Sequence, residues 1–368
     1  VIRLLIVDDS ALIRRLLGDL FTATGDFEVA LARDGVEALA QVREFKPDVV
    51  TLDVNMPQMD GLTCLDQIMV ERPCPVVMVS SLTEAGAEVT LEALALGAVD
   101  FIQKPDGAIS LKMDQLGPSL VEKVRVAATA RLRRSHRLTE RVRRQGGGLA
   151  AKPTRVRALT DVAVEGSEGA AVGKRAPPGL VIVGCSTGGP PALDALLTGL
   201  PAAFPWPVLV AQHMPASFTG PLARRLDGLC ALTVREVTRP TRIEAGHVYI
   251  GKGDADLVMG MRPAGLMALP VPAKAEYRWH PSVDRLVESA LGLVDPRRLV
   301  GVLMTGMGYD GAEFMTRMRD GGGRTIAEAE ETAVVWGMPG ELVRRGGADC
   351  VTPLDQIAGQ LVRLVEGR

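Results

Sequence analysis

Leu180-Val181-Ile182-Val183 runs into Gly184-Cys185-Ser186, Pro207-Val208-Leu209-Val210-Ala211 runs into Gln212-His213, and Val300-Gly301-Val302-Leu303-Met304 runs into Thr305-Gly306-Met307-Gly308-Tyr309-Asp310. Each apolar run has the length and content of a strand buried on both faces of a parallel sheet. Open α/β sheets carry their ligands beyond the carboxyl ends of the strands. The three runs therefore predict that Ser186, His213 and Asp310 converge on one rim of a sheet. A hydroxyl, an imidazole and a carboxylate in that chain order are the parts of a serine hydrolase.

The local patterns around Ser186 agree with that chemistry. Thr187-Gly188-Gly189 fills the turn, and Pro190-Pro191-Ala192-Leu193 begins a helix. Proline suits a first helical turn, and the glycines let a substrate approach the backbone. A helix N-terminus presents free N–H groups and partial positive charge to a developing oxyanion. The Met307 N–H, in a glycine-flanked turn, is a second candidate donor. Gly184-x-Ser186-x-x-Gly189 is also close to a dinucleotide fingerprint, but its middle glycine is a serine and the acidic residue expected about twenty positions on is absent. Cys185 is a rival nucleophile, although no second base flanks it. Of the four histidines, His136 lies in a basic stretch, His247 follows Gly246 before a strand, and His280 sits in a loop leading into a helix. His213 alone follows a buried strand at the rim of Ser186. A lone histidine or an Asp-Gly pair is often merely structural; the shared rim favours base and orienting carboxylate.

Further runs lie in the first half: Leu4 to Val7, Glu28 to Ala32, Val49 to Leu52, Val76 to Val79 and Phe101-Ile102. Helical periods separate them. Ser10 is placed to cap a helix whose Leu12, Ile13, Leu16, Leu17 and Leu20 form one face, and Asp34-Gly35 precedes a helix through Val36, Ala38, Leu39 and Val42. Five alternating strand–helix units predict a doubly wound parallel sheet. At its strand ends stand Asp8 and Asp9, Asp53, Ser80 and Lys104. Aspartates can simply cap helices, but three carboxylates on one rim repel one another unless a cation joins them, and hard oxygen ligands suit magnesium. A serine hydroxyl and a lysine ammonium nearby can hold phosphoryl oxygens.

Composition sets the frame. The chain has 368 residues, enough for two domains. Apolar residues make up 47% and aromatics only 4%, so aliphatic side chains and methionine must fill the cores. A formal net charge of −2 gives no whole-chain attraction to nucleic acid or anionic membrane. The sequence shows no secretory signal and no spanning apolar run, and the five cysteines lack metal-finger spacing; a cytoplasmic protein with reduced thiols is expected. From Arg131 to Pro178 the pattern decays into arginines, Gly146-Gly147-Gly148 and a Pro177-Pro178 end, the signature of a tether or a solvated helical extension.

Val7-Asp8-Asp9-Ser10, Leu52-Asp53-Val54-Asn55-Met56-Pro57 with Asp60-Gly61, Ser80 and Lys104-Pro105 resemble the receiver domain of two-component response regulators. That resemblance implies that Asp53 accepts a phosphoryl group from a sensor histidine kinase. It further implies that Asp8, Asp9, Asp53 and the Asn55 carbonyl bind Mg2+, and that Ser80, Lys104 and Phe101 sense the phosphoryl group. Gly184 to Gly189, Gln212-His213-Met214-Pro215, Arg278 to Asp284, Thr305 to Gly311 and Trp336-Gly337-Met338-Pro339 resemble the chemotaxis protein-glutamate methylesterase family. By that resemblance Ser186, His213 and Asp310 are catalytic, and Thr187 and Met307 lie at the oxyanion. The fold expected is two doubly wound parallel-sheet α/β domains, a five-stranded receiver at 1–125 and a larger Rossmann-like serine hydrolase domain at 179–368, with a basic, glycine-rich linker at 126–178.

The function implied is phosphorylation-activated demethylation of glutamyl γ-methyl esters on chemoreceptors, with deamidation of receptor glutamines. The hydrolase half needs no metal, and neither nucleic acid nor membrane insertion enters. An inactive, phosphorylation-controlled binding module, a DNA-binding regulator and a small-molecule esterase are the rival classes. The second half lacks a recognisable helix-turn-helix, which counts against DNA binding. Three departures from the family pattern are visible, the mildest being Cys185 where alanine is common. Gly251-Lys252-Gly253-Asp254-Ala255-Asp256 replaces Ala-Pro-Gly-Asp-x-His, which removes a histidine at the active-site edge and bears on substrate affinity or receptor choice. Tyr309 stands where asparagine is frequent.

Overall fold

The structure is a computed structural model that describes residues 1–80, 83–104, 109–132 and 179–367. Most of the expected linker, with Gly146-Gly147-Gly148 and all of its arginines except Arg131, falls outside the described residues.

The first sheet comprises β1 (Ile2–Val7), β2 (Phe27–Ala32), β3 (Val49–Asp53), β4 (Val76–Ser80) and β5 (Asp100–Gln103), in the order β2-β1-β3-β4-β5 with all neighbours parallel. Strands β3 and β4 are buried at every residue, as uninterrupted apolar runs require when helices cover both faces. The strand order reverses between β1 and β3, so Asp8 and Asp53 meet at a topological switch point. Ser10 caps the helix Ala11–Ala23, its side chain accepting from the Ile13 N–H, and Asp34 caps Gly35–Glu44 through the Glu37 N–H. The apolar faces of these helices are narrower than their periodicity implies. Leu17 and Phe21 are buried whereas Leu12 is exposed; Ala38, Leu39 and Val42 are buried whereas Val36 is exposed. The sheet covers only the part of each helix nearest to it. The last helix of this half, Ile109–Ala127, runs past residue 125.

The second sheet has seven parallel strands: β6 (Leu180–Cys185), β7 (Val208–Gln212), β8 (Thr233–Val237), β10 (His247–Gly251), β13 (Leu299–Leu303), β14 (Arg324–Glu328) and β15 (Cys350–Thr352), in the order β15-β14-β13-β6-β7-β10-β8. Strands β6, β7 and β13 are buried throughout. Their register pairs Leu303 with Gly184 and Cys185 with Gln212, which brings the three carboxyl ends level. A small antiparallel sheet of β9 (Thr241–Arg242), β11 (Ala255–Arg262) and β12 (Gly265–Pro272) has no counterpart in the sequence reading.

The two sheets share packing. Phe101 at β5 stacks on Phe218 of the helix Ala216–Leu229, ring centroids 4.2 Å apart. One contiguous buried cluster includes Leu91, Leu94 and Phe101 from the first half and Leu196, Met214 and Phe218 from the second. Arg131, expected in a solvated tether, instead pairs with Glu330 at 2.8 Å and donates its backbone N–H to the Val334 carbonyl. The strand that carries Ser186 anchors the second core. Ile182→Ala, at a fully buried position in the middle of β6, is expected to cost about 2–5 kcal/mol. A denaturant titration checks this, and a loss under about 1 kcal/mol would contradict the packing.

Candidate active site

Ser186 follows β6, His213 follows β7 and Thr305 to Asp310 follow β13, on three adjacent strands. Ser186, Thr187, His213 and Met307 line one cavity of about 520 Å3. Two glycines let the β13 loop close on the serine. A Cβ on Gly306 would lie 2.8 Å from Ser186 Cβ, and Gly308, at φ +89°, leaves room for the Trp279 ring. The Ser186 N–H donates to the Thr305 carbonyl at 3.0 Å, and Gln212 Nε2 donates to the Ser186 carbonyl at 3.0 Å. Thr305 Oγ1 donates to the Thr187 carbonyl, and buried Glu328 accepts the Thr305 N–H at 2.8 Å.

His213 Nε2 lies 2.8 Å from Asp310 Oδ2. Asp310 also accepts from Ser282 Oγ and the Asp284 N–H through Oδ1, both at 3.0 Å, and from the Val283 N–H through Oδ2 at 2.7 Å. Burial alone would raise the Asp310 pKa; the bonds from His213, Asp284 and Val283 outweigh it, and the group sits below the usual carboxylate range. An ionised Asp310 only accepts, so Nε2 carries the imidazole proton and Nδ1 carries the lone pair. Among the described residues nothing hydrogen-bonds Nδ1, which is buried. Trp279 stacks on the His213 ring at 5.9 Å with an interplanar angle of 7°. The side chains thus bring an oriented imidazole and a hydroxyl to the lining of one cavity. Cys185 is fully buried and its thiol pKa is pushed up by desolvation, the opposite of an activated nucleophile.

Several participants escaped the sequence reading. The 282–284 turn supplies three of the four donors to Asp310; Arg278 to Asp284 stood out only as a family-like stretch and a helix start, with no role assigned to its N–H groups. Asp256, noted for the histidine it replaces, is 1% exposed and accepts from His280 Nδ1 at 2.9 Å, the Ser282 N–H at 2.8 Å and Arg285 Nη1. Residues of the first half also reach the site. Asp100 Oδ2 accepts from Thr187 Oγ1 at 2.5 Å, Lys123 Nζ lies 3.1 Å from Asp100 Oδ1, and Glu122 pairs with Arg278. Ile102, Gln103, Lys104 and Leu120 line the same cavity as Ser186.

On the first sheet, Asp8, Asp9 and Asp53 each offer a carboxylate oxygen within 4.8 Å of the others. This hard, anionic donor set fits a divalent cation. Lys104 Nζ lies 2.7 Å from Asp53 Oδ2 and 3.0 Å from Asp8 Oδ2. Burial raises the Asp53 pKa despite Lys104. The Asn55 N–H donates to Asp53 Oδ1 at 3.3 Å, and Ser80 Oγ donates to the Gly86 carbonyl at 3.3 Å.

Residues 181–361 match the CheB methylesterase family and residues 4–113 match the response regulator receiver domain. A protein-glutamate methylesterase/protein-glutamine glutaminase 2 from Rhodopseudomonas palustris is 59% identical over 98% of this chain and 97% of that protein. The chain belongs to the CheB methylesterase family. A protein-glutamate methylesterase/protein-glutamine glutaminase 3 from Rhodospirillum rubrum is 54% identical over 98% of this chain and 95% of that protein. The crystal structure of the Thermotoga maritima CheB methylesterase catalytic domain shows 37% identity at a TM-score of 0.49, covering 51% of this chain and 98% of that one. This CheB family member accordingly pairs a receiver, whose phosphorylation site binds a metal, with a hydrolase domain. Among the described residues no helix is long and apolar enough to cross a membrane.

Asp284 adds a titration next to Asp310. Burial, and then the Asp310 charge, raise its pKa to about 7. A raised folded-state pKa favours the folded state below the unfolded value near 3.8, and that advantage is lost as pH climbs to about 7. Asp284→Asn removes the dependence. Denaturant unfolding at pH 5 and pH 8 should show the variant gaining about 1–3 kcal/mol on wild type between them; an equal difference at both pH values would contradict the linkage.

Proposed function

We propose that this chain is a phosphorylation-activated serine hydrolase that cleaves glutamyl γ-methyl esters on chemoreceptors and deamidates receptor glutamines. The observation that carries the reading is the His213–Asp310 pair, whose remaining ring nitrogen has no partner among the described residues, in a cavity lined by both His213 and Ser186. Ser186 Oγ attacks the ester carbonyl as its proton passes to His213 Nδ1. Backbone N–H groups at Thr187 and Met307 hold the oxyanion. His213 returns the proton to the departing oxygen, methanol leaves, and water, deprotonated by the same nitrogen, cleaves the glutamyl-enzyme to a free glutamate. An amide substrate follows the same course and releases ammonia.

Control comes from the receiver. A sensor histidine kinase transfers a phosphoryl group to Asp53, with Lys104 and Ser80 placed for its oxygens. Mg2+ held by Asp8, Asp9, Asp53 and the Asn55 carbonyl would offset the phosphoryl charge. Unphosphorylated, the receiver lies against the hydrolase rim, where Phe101 packs on Phe218 and Asp100 accepts from Thr187. A receptor helix cannot enter past that wall. Phosphorylation draws Ser80 and Phe101 toward the new charge and loosens the docking; a tenfold activation asks for a differential of only about 1.4 kcal/mol. The domains divide as a receiver that closes with the helix ending at Ala127, a linker from there to 178 and a methylesterase domain at 179–368, and the protein works in the cytoplasm.

Methanol release from methylated receptor membranes, with and without a small phosphodonor, tests the reading. Ser186→Ala should lose turnover by several orders of magnitude; unchanged hydrolysis would favour an inactive binding module. Asp53→Ala should keep basal turnover and lose stimulation, and stimulation equal to wild type would refute the switch. Deleting residues 1 to about 140 should raise basal turnover, whereas a fall would count against occlusion.

A further inference from the structure

Asp256 lies outside the triad, on the small antiparallel sheet, yet it touches the segment that holds Asp310. Its side chain is wholly buried, and a buried carboxylate persists only when charge and hydrogen bonds compensate it. Here they do. Oδ1 accepts from His280 Nδ1 and the Ser282 N–H, and Oδ2 pairs with Arg285, whose same Nη1 also reaches the Pro272 carbonyl at 2.7 Å. Burial pushes the Asp256 pKa up, and the bonds from His280, Ser282 and Arg285 more than offset it, so the net shift is downward.

Ser282 caps the helix Val283–Leu291. The first N–H groups of that helix have no partners within it and need acceptors. Two carboxylates share the N–H groups of this turn: Asp256 takes that of Ser282, and Asp310 takes those of Val283 and Asp284. Ser282 Oγ then crosses from the residue held by Asp256 to Asp310 Oδ1. Asp256 also grips His280, the neighbour of Trp279, whose ring lies flat against His213. Both supports of the imidazole, the carboxylate at its edge and the indole on its face, therefore trace back to one turn fixed by Asp256.

We propose that Asp256 is a positioning residue for ester hydrolysis, holding the 280–284 turn so that Asp310 and Trp279 keep His213 aimed at Ser186. The proposal rests on the functional reading given above. It recasts the departure at 251–256: the residue in place of an edge histidine cannot meet a receptor, because no part of its side chain is exposed, and acts through the triad instead. Its effect belongs in kcat, not in KM.

The test uses the full-length protein with methylated receptor membranes, with kcat expressed per serine titrated by a fluorophosphonate. Asp256→Ala should lower kcat by about 10–100-fold, the scale of a small misplacement of catalytic groups, with KM within about twofold of wild type. Asp256→Asn keeps an oxygen for the Ser282 N–H and loses the charge pairing with Arg285, so it should recover part of that loss. The rate of Ser186 labelling by the fluorophosphonate should fall in the same order, and phosphorylation of Asp53 by a small phosphodonor should not change. Wild-type kcat in both variants overturns the proposal, and so does a raised KM at unchanged kcat. If Asp256→Ala does not fold, Asp256→Asn decides alone: a kcat reduced at least threefold at constant KM supports the proposal, and wild-type kcat overturns it. Wild-type protein that releases no methanol defeats the functional reading, and the labelling rates of the variants then judge Asp256 separately.

Discussion

The Asp310 carboxylate is taken almost completely out of water, and the hydrolase domain is arranged to make that tolerable. Four donors surround it, three of them from the turn at 282–284 and the fourth from His213. An ionised group this deep would otherwise neutralise by raising its pKa. With every donor in place it stays an acceptor, and an acceptor at Nε2 dictates where the imidazole keeps its lone pair. The tautomer of the imidazole thus depends on a helix N-terminus. That helix in turn needs a strand from another sheet to set its start.

The level ends of β13, β6 and β7 complete the arrangement. Parallel strands in register deliver a serine, an imidazole and a glycine-rich loop to one rim without long side chains having to reach. Gly306 matters here as missing volume: a methyl group at that position would collide with the Ser186 side chain. The groups are held by backbone hydrogen bonds and buried threonines, so little needs reorganising when charge develops on a substrate.

The receiver meets the hydrolase through a shared buried cluster and several polar pairs, some of them beside the two sites. Phe101 belongs to the strand that ends beside Lys104, and it packs on the helix that follows His213. Asp100 is bonded to Thr187, next to the serine itself. The interface combines apolar packing with short polar contacts. Leu91, Leu94 and Phe101 share one buried cluster with Leu196, Met214 and Phe218, and the Asp100–Thr187 bond adds a directed polar contact.

Much of this was legible in the order of residues. Burial on both faces forces unbroken apolar runs, so β3, β4, β6, β7 and β13 announce themselves, and polar groups at their ends stand out against them. Asp8, Asp53, Lys104, Ser186, His213 and Asp310 could be placed on rims for that reason. The sheet of β9, β11 and β12 was not legible, because Ala255–Arg262 and Gly265–Pro272 mix methionine, glycine and proline with no clean alternation. Leu12 and Val36 misled because periodicity marks a face without saying how wide a neighbour covers it. Sequence by itself determined the strand–helix grammar and the chemical identity of the groups at strand ends, since both follow from local burial and short-range spacing. Only the tertiary structure decided which imidazole nitrogen faces the carboxylate, that Asp256 supports the 282–284 turn, and that Asp100 reaches Thr187. Those contacts join residues from 26 to 97 positions apart, and nothing local in the chain encodes a distance across the fold.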